Sequence, residues 1–297
     1  MGKLTTADRN WRSSTDRGDV APVQVSVKLT AFYSQFDPLD VQGSQEKVSD
    51  RLRILLRKAQ EVGAAVHFDM EQYRYKNATL EVLKPLLMEA EFRDRTDIGI
   101  TLQAYLRDSY QDLQQLIAWA KKRGQPITLR LIKGAYWDRE TIVARQNHWP
   151  TPVYHHKSST DANFERMTAL LLTNHEHLHA AIGSHNIRSQ AHAIAIAQAL
   201  NIPKEHIEFQ VLYGMADNLA IALAQQGHRV RVYCPYGALI PGMAYLIRRL
   251  LENTANTSFL RQSLSGQPLE GLLVAPVWGE GDADGSEVLP MPMPAST

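Results

Sequence analysis

"ITLRLIKGAYWD", Ile127 to Asp138, begins as a β-strand and ends as something else. Strand alternation sets Thr128, Arg130 and Ile132 on one face and Leu129, Leu131 and Lys133 on the other. One face must then carry a charge into a sheet interior or onto its rim, which is costly unless an anion or carboxylate meets it. Asp69 and Asp138 are the candidate partners, and an internal salt bridge at a plain strand-end turn would satisfy the pattern. The alternative is a ligand site. Gly134 and Ala135 are small enough to let a flat molecule approach the backbone, with Tyr136 and Trp137 as walls.

Working outward, further β-rich runs occur at 23–29, 64–69, 98–105, 178–185, 207–214 and 228–235. Amphipathic segments lie between them, among them SQEKVSDRLRILLRKAQEVG, DLQQLIAWAKKRGQ, ANFERMTALLLTNH, SQAHAIAIAQAL and GMADNLAIALAQQGH. Strand and helix in alternation predict a parallel sheet covered by helices, closed as a barrel or open and doubly wound. Polar residues at the strand ends separate the two. Lys28, Asp69, Gln103, Lys133, His185, Gln210 and Tyr233 each sit at or near the carboxyl end of a different strand. A (β/α) barrel gathers all such ends on one rim, whereas a doubly wound sheet gathers only a few at its switch point. The barrel is the expected fold.

Composition narrows the partners. Of 297 residues 44% are hydrophobic and 21% charged, a globular profile, and 32 basic against 31 acidic side chains give no global field to attract nucleic acid. With Cys234 as the sole cysteine there is no intrachain disulfide, and no run approaches the roughly 18 apolar residues of a membrane span. A cytoplasmic location is expected. Residues 1–22 read as a polar leader and 263–297, rich in Pro, Gly and acidic residues, as a flexible tail or severed linker.

Two motifs invite over-reading. HEHLH (175–179) matches the zinc-protease spacing, but Asn174 marks a helix end and the following residues begin a strand, so solvated loop histidines are expected, as for His155 and His156. GEGDADGSE (279–287) lacks both the flanking elements of a phosphate loop and the ligand spacing of a calcium loop. No metal is expected. In AYLIRRLLE (244–252), helical geometry places Tyr245, Arg248, Arg249 and Glu252 on one stripe. That stripe is either solvated, with an Arg248–Glu252 pair, or a clamp in which guanidinium groups grip a carboxylate.

VSVKL, FDMEQ, QAY, RLIKGAYWD, KSSTD, SHN, EFQVLYGM and YLIRRLLENTANTSF occur, in order, over residues 23–262. This series resembles the proline dehydrogenase family, particularly that domain of the bifunctional proline utilization A flavoproteins. The resemblance implies a TIM-like (βα)8 barrel that binds FAD at the strand ends, oxidises L-proline to 1-pyrroline-5-carboxylate and passes electrons to a quinone through peripheral membrane contact. It further implies that Lys28, Asp69, Tyr136, Leu212, Tyr233 and Tyr245 surround the substrate, and that Arg248, Arg249 and Glu252 hold the proline zwitterion. Gln103, Arg130, Ile132, Lys133, Gly134, Ala135, Trp137, Lys157, His185, Asn186, Gln210, Leu212, Glu252, Ser258 and Phe259 match positions near the flavin. Two departures from the family pattern stand out. Only seven strands are recognisable, so the family's first strand is expected to be missing, with the barrel incomplete or completed by the leader, and the family's aldehyde dehydrogenase domain is not expected within these 297 residues. Two other readings stay open: a truncated fragment that binds flavin too weakly to turn over, and a barrel enzyme using Lys28 or Lys133 as a Schiff-base nucleophile.

Overall fold

The computed structural model describes residues 21, 23–33, 36, 41–237, 240, 242–243, 245–247, 249, 271 and 273–282. Within them the strands are β1 (Gln24–Val27), β2 (Ala65–Phe68), β3 (Ile98–Gln103), β4 (Ile127–Ile132), β5 (Leu178–Gly183), β6 (Ile207–Leu212) and β7 (Val230–Tyr233). Each falls inside one of the seven runs expected from the sequence. The helices are α1 (Val41–Val62), α2 (Tyr73–Leu86), α3 (Ser109–Arg123), α4 (Trp137–Gln146), α5 (Lys157–Thr173), α6 (Ile187–Ala199) and α7 (Asp217–Gln225).

All the strand pairings are parallel, and the spatial order is the chain order, β1 to β7. Such an order has no switch point, which removes the doubly wound alternative. The sheet also curls. In a flat sheet β2 and β7 would stand about 24 Å apart, five strand spacings of about 4.8 Å. Instead the Tyr233 hydroxyl at the end of β7 donates to Asp69 Oδ2 just past β2, at 2.9 Å. Among the described residues the seven strands form most of a barrel, with no pairing between β1 and β7.

Alternation assigns the faces. Ile100, Leu129, Leu131, Ala180, Ile182 and Phe209 point outward and are buried beneath the helices. α1 packs on β2 and α2, and its Val48, Leu52, Leu56 and Ala59, spaced at helical intervals, are fully buried in the same core. Each of the valine and leucine side chains contributes about 1.5–3 kcal/mol by leaving water. α3 ends at Gly124, whose φ of 81° is the left-handed cap conformation that glycine adopts without strain.

The inner face is polar. Thr101, Arg130, Ala181 and Glu208 stand in one register row across β3 to β6. His67 fits only because its register neighbour is Gly99, where a Cβ would come within 2.0 Å of the imidazole. At the opposite end of the barrel, HEHLH runs from the turn after α5 into β5, so its histidines share no helix face. His175 Nδ1 lies 2.8 Å from His206 Nδ1, and His179 stacks on His206. Within the stretch expected to be a flexible tail, residues 273–282 pack on the barrel, with Asp282 fully buried. Apolar and carboxylate anchors scattered without periodicity hold that segment, which is why its pattern reads as a tail.

Candidate active site

The carboxyl ends of the strands surround a cavity of about 200 Å³. Of the residues expected at a site, Lys28, Asp69, Arg130, Ile132, Lys133, Gly134, Ala135, Tyr136, His185, Gln210, Leu212, Tyr233, Tyr245 and Arg249 line it. They come from β4, β6 and β7, from the connections that follow β1, β2, β4 and β5, and from the helical residues beyond β7.

Arg130 organises the floor. Its Nη1 donates to Asp69 Oδ1 at 2.5 Å and its Nε to Gln210 Oε1 at 2.5 Å, while Nη2 reaches Ser26 Oγ at 3.1 Å. Three strands besides its own are thereby tied to one guanidinium. Of the two internal carboxylates offered for the strand's charge, Asp69 is the one that meets Arg130. Burial lowers the Arg130 pKa and the Asp69 carboxylate opposes that fall, leaving the guanidinium charged at neutral pH. Tyr233 completes the group: burial first, then the neighbouring Asp69 carboxylate, push its phenol well up, so it stays neutral and donates. The Arg130 guanidinium also lies 5.3 Å from the Tyr233 ring centre. Glu208 extends the network by accepting from Arg231 and from Gln210 Nε2.

The wall is the turn that follows β4. Gly134 adopts φ +130°, and a Cβ there would lie 2.4 Å from the Tyr105 ring, so only glycine fits both the backbone and the packing. Past the end of β4 the alternation lapses. Lys133, expected on the face opposite Arg130, lines the same cavity. Its Nζ donates to Asp161 Oδ1 at 2.5 Å, and Asp161 Oδ2 accepts from Lys157 at 2.6 Å. Burial lowers the Lys133 pKa while Asp161 counters it, so the amine is held as one half of an ion pair.

His185 has a defined tautomer. The Leu212 backbone N–H donates to its Nε2 at 3.0 Å, so that nitrogen carries no proton. On the far wall the Arg249 guanidinium lies over the Tyr245 ring at 5.3 Å. Residues 245–247 and 249 are helical, as the AYLIRRLLE pattern requires. Arg248, Glu252, Ser258 and Phe259 lie outside the described residues.

Four expected residues do not line the cavity. Trp137 is 40% exposed, and its Nε1 donates to the Tyr154 carbonyl at 2.8 Å. Lys157 stands behind Lys133 as the second partner of Asp161. Asn186 caps α6 by accepting from the Ser189 N–H. Gln103 is buried in register with the cavity-lining Ile132, and neither its Nε2 nor its Oε1 has a partner among the described residues. Conversely, Met70, Thr101, Gly183, Ser184 and Val211 line the cavity and were not anticipated. Met70, Ser184 and Val211 lie within the FDMEQ, SHN and EFQVLYGM motifs and Thr101 shares the inward face of Gln103, so these carried a signal. Gly183 carried none.

Comparison with known proteins places this geometry in a lineage. The proline dehydrogenase family model matches residues 1–262, including the 22 residues that read as a leader. The bifunctional protein PutA of Escherichia coli is 30% identical over 274 residues, covering 90% of this chain and 21% of that protein. Proline dehydrogenase 1 of Bacillus subtilis is 30% identical over 241 residues, covering 81% of this chain and 69% of that enzyme. A crystal structure of proline utilization A from Bdellovibrio bacteriovorus inactivated by N-propargylglycine superposes with a TM-score of 0.86 at 45% identity, covering 92% of this chain and 30% of that one. The chain thus spans about a fifth of the length of the bifunctional relatives. With a family model covering most of its length and the strand-end cavity in place, the chain belongs to the proline dehydrogenase family.

Proposed function

We propose that the protein oxidises L-proline to 1-pyrroline-5-carboxylate with FAD as the hydride acceptor, within proline catabolism. The observation that carries this reading is the cavity itself: family-motif residues from separate strands converge on a space of about 200 Å³ that holds an arginine stacked on tyrosine at one wall. A compact zwitterion suits that volume and polarity.

The residues fit a flavin. Gln103 is buried with both a donor and an acceptor unpartnered among the described residues, and a buried amide in that state calls for a ligand edge offering the complementary pair. Gly183 leaves room beside the cavity-lining Ile132, whose side chain a Cβ would meet at 2.8 Å, and Gly134 lets the backbone of the wall lie directly on the Tyr105 ring. Gln103, Arg130, Lys133, His185 and Gln210 would hold the cofactor, with Trp137, Lys157 and Asn186 around its outer portion. When bound, FAD supplies the two-electron sink for the hydride.

The remaining work falls to the chain's own side chains. Arg249, with Arg248 and Glu252 on the same helical stripe, grips the substrate carboxylate, a role suited to planar guanidinium groups. Tyr136, Leu212 and Tyr245 pack against the ring and exclude water. Asp69, neighboured by Lys28, keeps Tyr233 and Arg130 in place. As the bond between the ring nitrogen and the adjacent carbon becomes double, that carbon gives up hydride and the ammonium proton passes to solvent. A quinone is the proposed electron acceptor, reached by peripheral contact with a membrane, and no described helix is long and apolar enough to cross one. The pyrroline-5-carboxylate formed is the substrate of an aldehyde-type dehydrogenase, separate or fused.

Reconstitution with FAD followed by turnover of L-proline with a soluble quinone tests the reading. A yellow protein that forms pyrroline-5-carboxylate supports it. A colourless protein that FAD cannot reconstitute, or borohydride trapping of a carbonyl substrate on Lys28 or Lys133 without flavin, refutes it.

A further inference from the structure

Beyond the barrel, residues 273–282 form a strap that runs into GEGDADGSE (279–287) and belongs to none of the family motifs above. Its anchor is Asp282, fully buried although 127 and 126 residues from its partners. The carboxylate accepts the backbone N–H groups of His155 at 3.0 Å and His156 at 2.8 Å, together with Arg107 Nη2 at 2.5 Å. His156 is the N-cap position of α5 and has no side-chain cap of its own. Asp282 therefore supplies, from another part of the chain, acceptors that the start of a helix lacks. Gly279 N–H donates to Ser159 Oγ at 2.9 Å, and a Cβ on Gly279 would lie 2.3 Å from the His156 ring, so the strap lies flush on the loop. Trp278 packs edge-on to Tyr154, at 5.3 Å between ring centres.

The loop under the strap is also the back of the cavity wall. The Tyr154 carbonyl accepts from Trp137 Nε1, and Tyr154 N–H donates to the carbonyl of Tyr105, whose ring fills the space under Gly134. One turn into α5, Asp161 holds Lys133. Strap, loop 153–159 and wall 133–137 thus form three layers in direct contact.

We infer that Asp282 is a positioning residue for the active site: by fixing the start of α5 it sets the place of the Lys133–Trp137 wall. The inference concerns the placement of the wall, and its bearing on catalysis rests on the function proposed above.

The test uses the full chain carrying Asp282→Ala or Asp282→Asn, with amide hydrogen exchange and FAD titration as readouts. In Asp282→Ala, the His155 and His156 amides and the Lys133–Trp137 amides are expected to exchange at least about tenfold faster, with β2 and β3 unchanged. The FAD dissociation constant should rise about tenfold, and Asp282→Asn, which keeps one acceptor oxygen, should recover part of both effects. Faster exchange confined to His155 and His156, or no change at either place, overturns the inference. So does wall loosening that leaves the flavin affinity of a flavin-binding wild type untouched. If Asp282→Ala does not fold, Asp282→Asn decides, with smaller changes at the same amides. Failure of the wild type to bind FAD would refute the proposed function, while the exchange data would still judge the strap.

Discussion

Removing the Asp69 carboxylate should unfold the protein more readily than its partial exposure suggests. Its partner Arg130 has a side chain only 6% exposed, and Asp69 itself is 14% exposed. Breaking such a pair from one side strands a buried charge, which costs about 3–5 kcal/mol. Arg130 keeps Gln210 and Ser26 as acceptors, which places the loss near the lower end. Tyr233 loses its hydroxyl acceptor as well. Asp69→Ala is therefore expected to destabilise by about 3 kcal/mol, and Asp69→Asn, which retains an acceptor for Tyr233, by about 2 kcal/mol. Adding Arg130→Met removes the stranded charge, so the double variant should lose less than the sum of the single ones, with a coupling of about 1–3 kcal/mol. Urea unfolding followed by circular dichroism and tryptophan fluorescence measures all three. A loss below about 0.5 kcal/mol for Asp69→Ala, the level of an ordinary surface change, would refute the view that Arg130 is held by this carboxylate.

Gly134→Ala should abolish flavin binding or destabilise by about 2–4 kcal/mol, because the new methyl meets the Tyr105 ring at a φ disfavoured for alanine; unaltered flavin titration and melting would contradict it. Acid should weaken the fold through His179, whose pKa burial, followed by the charges of His206, Arg229 and His175, lowers to about 4. An unfolded histidine takes up its proton near pH 6.5 while the folded one resists, so stability is full above about pH 6.5 and declines as the pH falls toward the folded value. The decline should reach about 3 kcal/mol near pH 4 and shrink in His179→Gln, as urea titrations at several pH values would reveal. Arg249→Ala should leave the melting temperature within a few degrees of wild type while the apparent proline affinity falls at least about 100-fold; unchanged affinity would remove the carboxylate clamp.

Much of this architecture was legible in the sequence because strand-end polar residues are expensive to place anywhere except a converging rim. Lys28, Asp69, Lys133, His185, Gln210 and Tyr233 all line the cavity. The RLIKGAYWD stretch showed that an inward charge, Arg130 or Lys133, needs an anion or a carboxylate against it, and offered Asp69 as one of two internal partners. It misplaced Lys133, because strand alternation holds only while the strand does, and β4 ends at Ile132 before the turn through Gly134 re-aims the next side chain. Asp161 escaped notice as a lysine partner, since an acid one turn into a helix looks like any other. Asp282 was still less visible. Its partners are backbone N–H groups far away in sequence, and no side-chain pattern records a hydrogen bond to a main chain. Gly183 enters the cavity through the geometry of the rim alone.

The account turns on whether proline delivers a hydride inside this cavity. Anaerobic addition of L-proline to the FAD-loaded protein, followed by visible absorbance, asks that directly. The oxidised flavin band should bleach with formation of pyrroline-5-carboxylate and recover when a quinone is admitted. A protein that holds FAD yet keeps its oxidised spectrum at saturating proline would contradict the central claim.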